Sequence, residues 1–165
     1  MGIFQRFRKK VDEPVSEKEV FVPLNGTIIA LDQVNDPLFA DHVLGDGIAI
    51  EPSDGVLVSP VDGEITMLFD SKHAILIKSK DGVKIFIHIG IDTVALGGRY
   101  FRSLCKLGDR VTKGDKIMEF DCDMIRKEGY ELTTPIIISN YNDYEEIEVV
   151  AKEQVSRLDL LMKMK

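Results

Sequence analysis

Two of the three histidines in this chain lie in one short stretch, "SKHAILIKSKDGVKIFIHIGIDTV", residues 71 to 94. They are His73 and His88. The stretch otherwise reads as a β-hairpin: apolar runs flank Asp81-Gly82, where glycine supplies the positive φ of a tight turn. If those two residues form the loop, His88 faces Ile75 and His73 faces Gly90. The histidines then share a face as diagonal neighbours, about 7–8 Å apart. A loop of Ser79 to Gly82 would set them directly opposite each other. Only a loop with an odd number of residues would put them on opposite faces. Their expected companions are Ile75, Ile77 and Phe86, an apolar floor. Burial on such a floor disfavours the imidazolium ion. The neutral ring keeps a lone pair, which makes it a nucleophile or a metal ligand.

Three chemistries suit such a pair. In phosphoryl transfer, one ring attacks in line and the other donates a hydrogen bond to the phosphoryl oxygens; positioning and electrostatics do most of the work. A zinc site is the second. Two histidines fall short of a catalytic set of three protein ligands and a water. Asp92 could be a third ligand, but there is no HExxH and no His-x-His. The third is a non-catalytic docking module, with the histidines as pH sensors or interface residues. His42 has charged neighbours and reads as a surface residue.

The elements that must position the pair are β-strands. From Phe21 onward, short alternating or wholly apolar runs recur: "GTIIAL", "GIAIEP", "GVLVSPV", "GEITMLF", "HAILIK", "VKIFIHIG", "RVTKGDKIMEF", "TTPIIIS" and "IEVVAK". Gly, Pro, Asp and Asn punctuate them, as expected of an all-β sandwich or barrel. Helix is scarce. "NDPLFADHV" offers Asp36 as N-cap and Pro37 at the first helical position. "DMIRKEG" fits a second single-turn helix ending at Gly129. "VSRLDLLMKMK" fits either a closing strand or a helix. "SPVDGEI" and "LGDRVTKGDKIMEFD" resemble the paired glycine turns of biotinyl and lipoyl carrier domains. No acceptor Lys follows them; the "MKM" at 162 to 164 has no following strand, so this similarity is one of fold.

The totals fit one globular domain: 44% hydrophobic, 30% charged, and a formal net charge of −7. That charge argues against a general nucleic-acid binder, which needs a basic face. Cys105 and Cys122 form no CxxC and read as reduced thiols of a cytoplasmic protein. No run approaches the roughly 18 apolar residues that span a membrane. Residues 1 to 18 look separate. Ile3, Phe4, Phe7 and Val11 fall roughly on one helical face beside Arg6, Arg8, Lys9 and Lys10, a pattern that suits either a frayed terminus or a peripheral contact with an anionic membrane through residues 2 to 11. "DEPVSEKE" reads as a linker.

The motifs "VPLNGTIIALDQVNDPLFADHVLGDGIAIEPSDG", "SPVDGEI", the two-histidine hairpin, "HIGIDTV", "LGDRVTKGD" and "TPIIISN" resemble one family. It is the glucose-family enzyme IIA component of the bacterial phosphoenolpyruvate-dependent sugar phosphotransferase system. The resemblance covers roughly residues 20 to 141 and weakens in "EQVSRLDLLMKMK". It implies a compact antiparallel β-sandwich over residues 19 to 165. It also implies a phosphorelay: the protein takes a phosphoryl group from the histidine-containing phosphocarrier protein and passes it to a cysteine of a sugar-permease IIB domain. On that resemblance His88 is the phosphoryl acceptor through Nε2, and His73 stabilises the phosphoryl group. Ser71 stands where the family commonly has Thr and would orient His73. Asp36 and Asp92 match acidic positions that would meet a basic partner, and Phe39 and Phe69 match apolar positions at the rim. No intrinsic cofactor is implied. In enteric relatives the unphosphorylated form inhibits transporters and glycerol kinase, sometimes with a zinc that bridges both histidines and a partner carboxylate.

Overall fold

The computed structural model describes residues 17–165; the amphipathic stretch expected at residues 2 to 11 lies outside the described residues. Among the described residues the fold is three antiparallel sheets. The largest has eight strands. In spatial order they are β13 (Gln154–Val155), β2 (Gly26–Ala30), β3 (Asp46–Pro52), β11 (Thr134–Ile138), β7 (Lys84–His88), β6 (Ala74–Ser79), β5 (Gly63–Leu68) and β9 (Arg110–Val111). A second sheet orders β4 (Val56–Val58), β10 (Lys116–Phe120) and β8 (Phe101–Ser103). A third orders β1 (Lys18–Phe21), β14 (Leu160–Met164) and β12 (Ile147–Val149). The C-terminal segment is therefore a strand. It lies between two others, and its Met162–Met164 stretch is interior to the ladder. β1 begins inside the stretch expected to be a linker: Lys18 pairs with Met164 and Glu19 with Lys163.

Period-2 alternation gives the large sheet two distinct faces. Ile48, Ile50, Ile75, Ile77, Ile85, Ile87, Ile136 and Ile138 all point inward to the main core. Seven of these eight are fully buried. The intervening residues point outward. There Ala49 and Ile137, with Ile29 and Phe86 against them, pack under Leu31, Val34, Phe39 and Ile91 in a second, smaller core. Apart from Ile91, which follows β7, the cover is the segment after β2. It ends in the single-turn helix Pro37–Ala40, which Asp36 caps by accepting a hydrogen bond from the Leu38 N–H at 3.0 Å. Pro37 stands first in the helix, where its missing N–H costs nothing. The helix Cys122–Lys127 has the same device: Asp121 accepts from the Met124 N–H, and Gly129 follows at φ 94. Cys105 and Cys122 are both free thiols.

Candidate functional site

The hairpin register is neither of the two favoured by its sequence. Ala74 pairs with His88, and Lys78 with Lys84. Five residues, Ser79–Val83, lie between the last paired positions, an odd number. Ser79 sets this length: its backbone N–H donates to the Val83 carbonyl at 2.8 Å, and its hydroxyl accepts from the Val83 N–H at 2.8 Å. Strict alternation would then send the two histidines to opposite faces, yet their ring centroids are 4.7 Å apart, edge to face at 85°. His73 precedes the strand, in a bend entered through Lys72 at φ 60, so the facing rule stops at Ala74. The floor changes with the register. Ile75 and Ile77 belong to the main core, and Leu76 and Phe86 line the site with the histidines.

Each ring is held by its Nδ1. His88 Nδ1 lies 2.7 Å from the Gly90 carbonyl. A carbonyl only accepts, so Nδ1 carries the proton of the neutral ring and Nε2 keeps the lone pair. His73 Nδ1 lies 2.6 Å from the Ser71 hydroxyl. Burial pushes both pKa values down. His73 falls to about 4, through burial first and His88 second. For His88 burial again leads, opposed by the Gly90 bond and by the charges of Asp36 and Asp92. At neutral pH both rings are neutral.

The backbone between them is braced by a residue with no signal in the sequence reading. Thr93 is fully buried and its hydroxyl donates to the Ile89 carbonyl at 2.5 Å. The Ile89 N–H donates to the His73 carbonyl at 2.7 Å. One residue, Ile89, thus joins the two histidine segments through its N–H and is braced through its carbonyl. Gly90 takes φ 77, and a Cβ there would stand 2.6 Å from Thr93 Cγ2 and 2.8 Å from the Glu131 carbonyl oxygen. Only glycine fits, and its carbonyl is the group that fixes His88.

The pocket has a volume of about 430 Å³. Phe69 stands edge-on to His73 at 5.3 Å and is 36% exposed, a true rim residue. Phe39 lies 5.1 Å from His88 but is only 2% exposed. It is a wall of the second core rather than a rim residue, because the capped helix turns it inward. The exposed apolar rim instead includes Leu38, Leu44 and Met67, which sequence reasoning missed. Met67 reaches this face through a register shift between Ile65 and Met67, which breaks the alternation a reader would follow. His42 lies past the helix, exposed, with Nδ1 3.0 Å from Asp46. Among the described residues, no group of three or more His, Cys, Asp or Glu is arranged to hold a metal ion. Nor is any described helix long and apolar enough to cross a membrane.

The family model for the phosphoenolpyruvate-dependent sugar phosphotransferase system, EIIA 1, matches residues 18–144. The chain belongs to this enzyme IIA family. It is 36% identical over 160 residues to the glucose-specific EIIA component of the phosphotransferase system of Haemophilus influenzae, covering 94% of this chain and 96% of that one. It is 48% identical over 141 residues to a beta-glucoside-specific EIIBCA component from Dickeya chrysanthemi. That match covers 86% of this chain but 22% of the relative, so the chain spans about a fifth of that longer protein. Among solved structures, glucose permease IIA from Mycoplasma capricolum superposes with a TM-score of 0.86 at 37% identity, covering 92% of this chain and 97% of that one. The chain is a phosphoryl-relay component of the transferase class, with the β-sandwich expected of it.

Proposed function

We propose that His88 carries the phosphoryl group on Nε2 and that His73 holds it there. The carrying observation is the bond from His88 Nδ1–H to the Gly90 carbonyl, which leaves Nε2 as the ring's nucleophilic lone pair. The donor is the histidine-containing phosphocarrier protein, and the acceptor is a cysteine of a permease IIB domain. In loading, a P–N bond to His88 Nε2 forms as the donor's P–N bond breaks. In discharge, the cysteine sulfur takes the phosphoryl group and Nε2 recovers its lone pair. Ser71, donating to His73 Nδ1, leaves that ring's proton on Nε2, where it can bond a phosphoryl oxygen.

The surroundings suit this work. The rim of Leu38, Leu44, Met67 and Phe69 seals against a partner and keeps out water that would hydrolyse the phosphohistidine. Asp36 and Asp92 would meet cations on the docking partner and draw it in. The relay runs at the cytoplasmic side of the permease, with no resident cofactor. Two imidazoles are short of a zinc ligand set, so a zinc ion held here in a regulatory complex would need its remaining ligands from the partner.

The test is mass spectrometry after incubation with phosphoenolpyruvate, enzyme I and the phosphocarrier. An acid-labile adduct of about 80 Da on the peptide containing His88 is expected, from P–N chemistry. His73→Gln should still load but discharge poorly. A complete relay with His88 replaced by Ala would overturn the assignment.

A further inference from the structure

The outer face of the large sheet continues past the pocket into a charged row. Arg110 on β9 pairs with Glu64 on β5, Glu64 pairs with Lys78 on β6, and Lys78 pairs with Lys84 on β7. All four are exposed, and they share the face of Leu76, Phe86 and His88. Three cations against one carboxylate form a local exception in a chain of net charge −7. Lys78 and Lys84 stand directly opposite each other, an arrangement that destabilises a sheet. None of the three cations is in an ion pair among the described residues. Lys84 lies four residues from His88 along one strand, about 13 Å at roughly 3.3 Å per residue. Asp36 lines the pocket with the histidines, and both it and Asp92 are close enough to act on the charge of His88. The face is therefore acidic and apolar around the histidines and basic along the row.

We propose that this row is a second recognition element of the docking face. The face then fits a protein partner of bipolar surface: cationic where it meets Asp36 and Asp92, and bearing carboxylates about 13 Å from its phosphoryl-exchanging residue, opposite Lys78, Lys84 and Arg110. The apolar pocket sets the contact for transfer, and the two charged regions fix the partner's orientation about it. A partner without the acidic patch, or with it rotated away, docks more slowly even when it fits the pocket. This inference rests on the phosphocarrier reading and adds to it the charge pattern of the partner.

The experiment measures loading from the phosphocarrier and discharge to a IIB domain for wild type, Lys78→Glu and Lys84→Glu. Lys84→Glu puts an opposite charge against Lys78, and Lys78→Glu exchanges its like-charge pair with Lys84 for one with Glu64, so the hairpin is kept in both, and a melting temperature unchanged or, for Lys84→Glu, raised shows it. At least one transfer step should slow by about three- to tenfold at low salt, and the gap should close near roughly 0.5 M salt. Both steps at wild-type speed in both variants would overturn the proposal. So would wild-type transfer combined with a loss of binding to vesicles of anionic phosphatidylglycerol, which would assign the row to a lipid surface. A wild type that takes no label on His88 would instead overturn the underlying relay reading.

Discussion

The two faces of the eight-stranded sheet are made by alternate residues of the same strands, and they are built to opposite ends. On β7, Ile85 and Ile87 point into the main core and are fully buried, while Phe86 and His88, which alternate with them, remain partly exposed. The inner face is dry and aliphatic, and its contribution is proportional to the area it removes from water. The outer face is small, ringed by exposed Leu38, Leu44, Met67 and Phe69, and interrupted by polar rings. The inner face holds the backbone still. The outer face uses that rigidity to keep two imidazoles neutral, adjacent and open to a partner.

Neighbouring substitutions on β7 separate the two roles. His88→Ala should abolish phosphoryl acceptance, and the urea midpoint should move little, because a partly exposed ring leaves no sealed cavity. Ile87→Ala should behave in reverse. Emptying a fully buried position costs about 2–5 kcal/mol of stability, while the fraction still folded should load at close to the wild-type rate. Urea titration paired with a loading assay reads both. A large loss of loading in folded Ile87→Ala protein would show that the faces are not separable.

Acid should act through the outer face. The folded-state pKa of His73 is lowered to about 4 from an ordinary value of 6.5. The stability from keeping it neutral is present above about pH 6.5 and is lost as pH falls toward 4, because the unfolded chain binds the proton first. The loss is on the order of 3 kcal/mol at most. Replacing His73 with Gln should flatten that part of the stability–pH curve. An unchanged slope in His73→Gln between pH 6.5 and 4 would remove His73 as its source.

How much of this could be read from the sequence follows from where alternation holds. The core strands were legible because Ile and Val runs bounded by Gly and Asp have one good solution, and all nine expected runs contain strands. The N-cap at Asp36 was legible because Asp-Pro is a local signal. The hairpin register was not, since Ser79 makes side-chain and backbone bonds that lengthen the turn by a residue, and such bonds leave no periodic trace. The histidines were rightly brought together for a wrong reason: the bend at Lys72, not strand parity, turns His73 toward its partner. Met67 was missed at a register shift, and Phe39 was placed too far out because the sequence does not say which way a single-turn helix leans.

Thr93 tests the join between the faces. Thr93→Val keeps the shape but leaves the buried Ile89 carbonyl without the hydroxyl it accepts from, at a cost of about 1–3 kcal/mol. Loading should slow, and the imidazole nitrogen shifts of His88 should show a looser Nδ1–H bond. Thr93→Ser should restore both, and a merely structural role would leave the nitrogen shifts unmoved.

The smallest expected effect is at Asp36, which does two jobs. Its carboxylate caps the helix Pro37–Ala40 and also favours the proton on His88. A lysine there would confuse the two, since loss of the cap alone costs about 1 kcal/mol. Asn keeps the cap and removes only the charge. In Asp36→Asn the melting temperature should hold, and the His88 pKa should move further down, because one of the charges opposing burial is gone. Loading should slow by about two- to fivefold at low salt and recover at high salt, as expected of a charge that steers a partner rather than shapes the pocket. A defect of the same size at every salt concentration would mean that Asp36 serves the outer face through geometry alone.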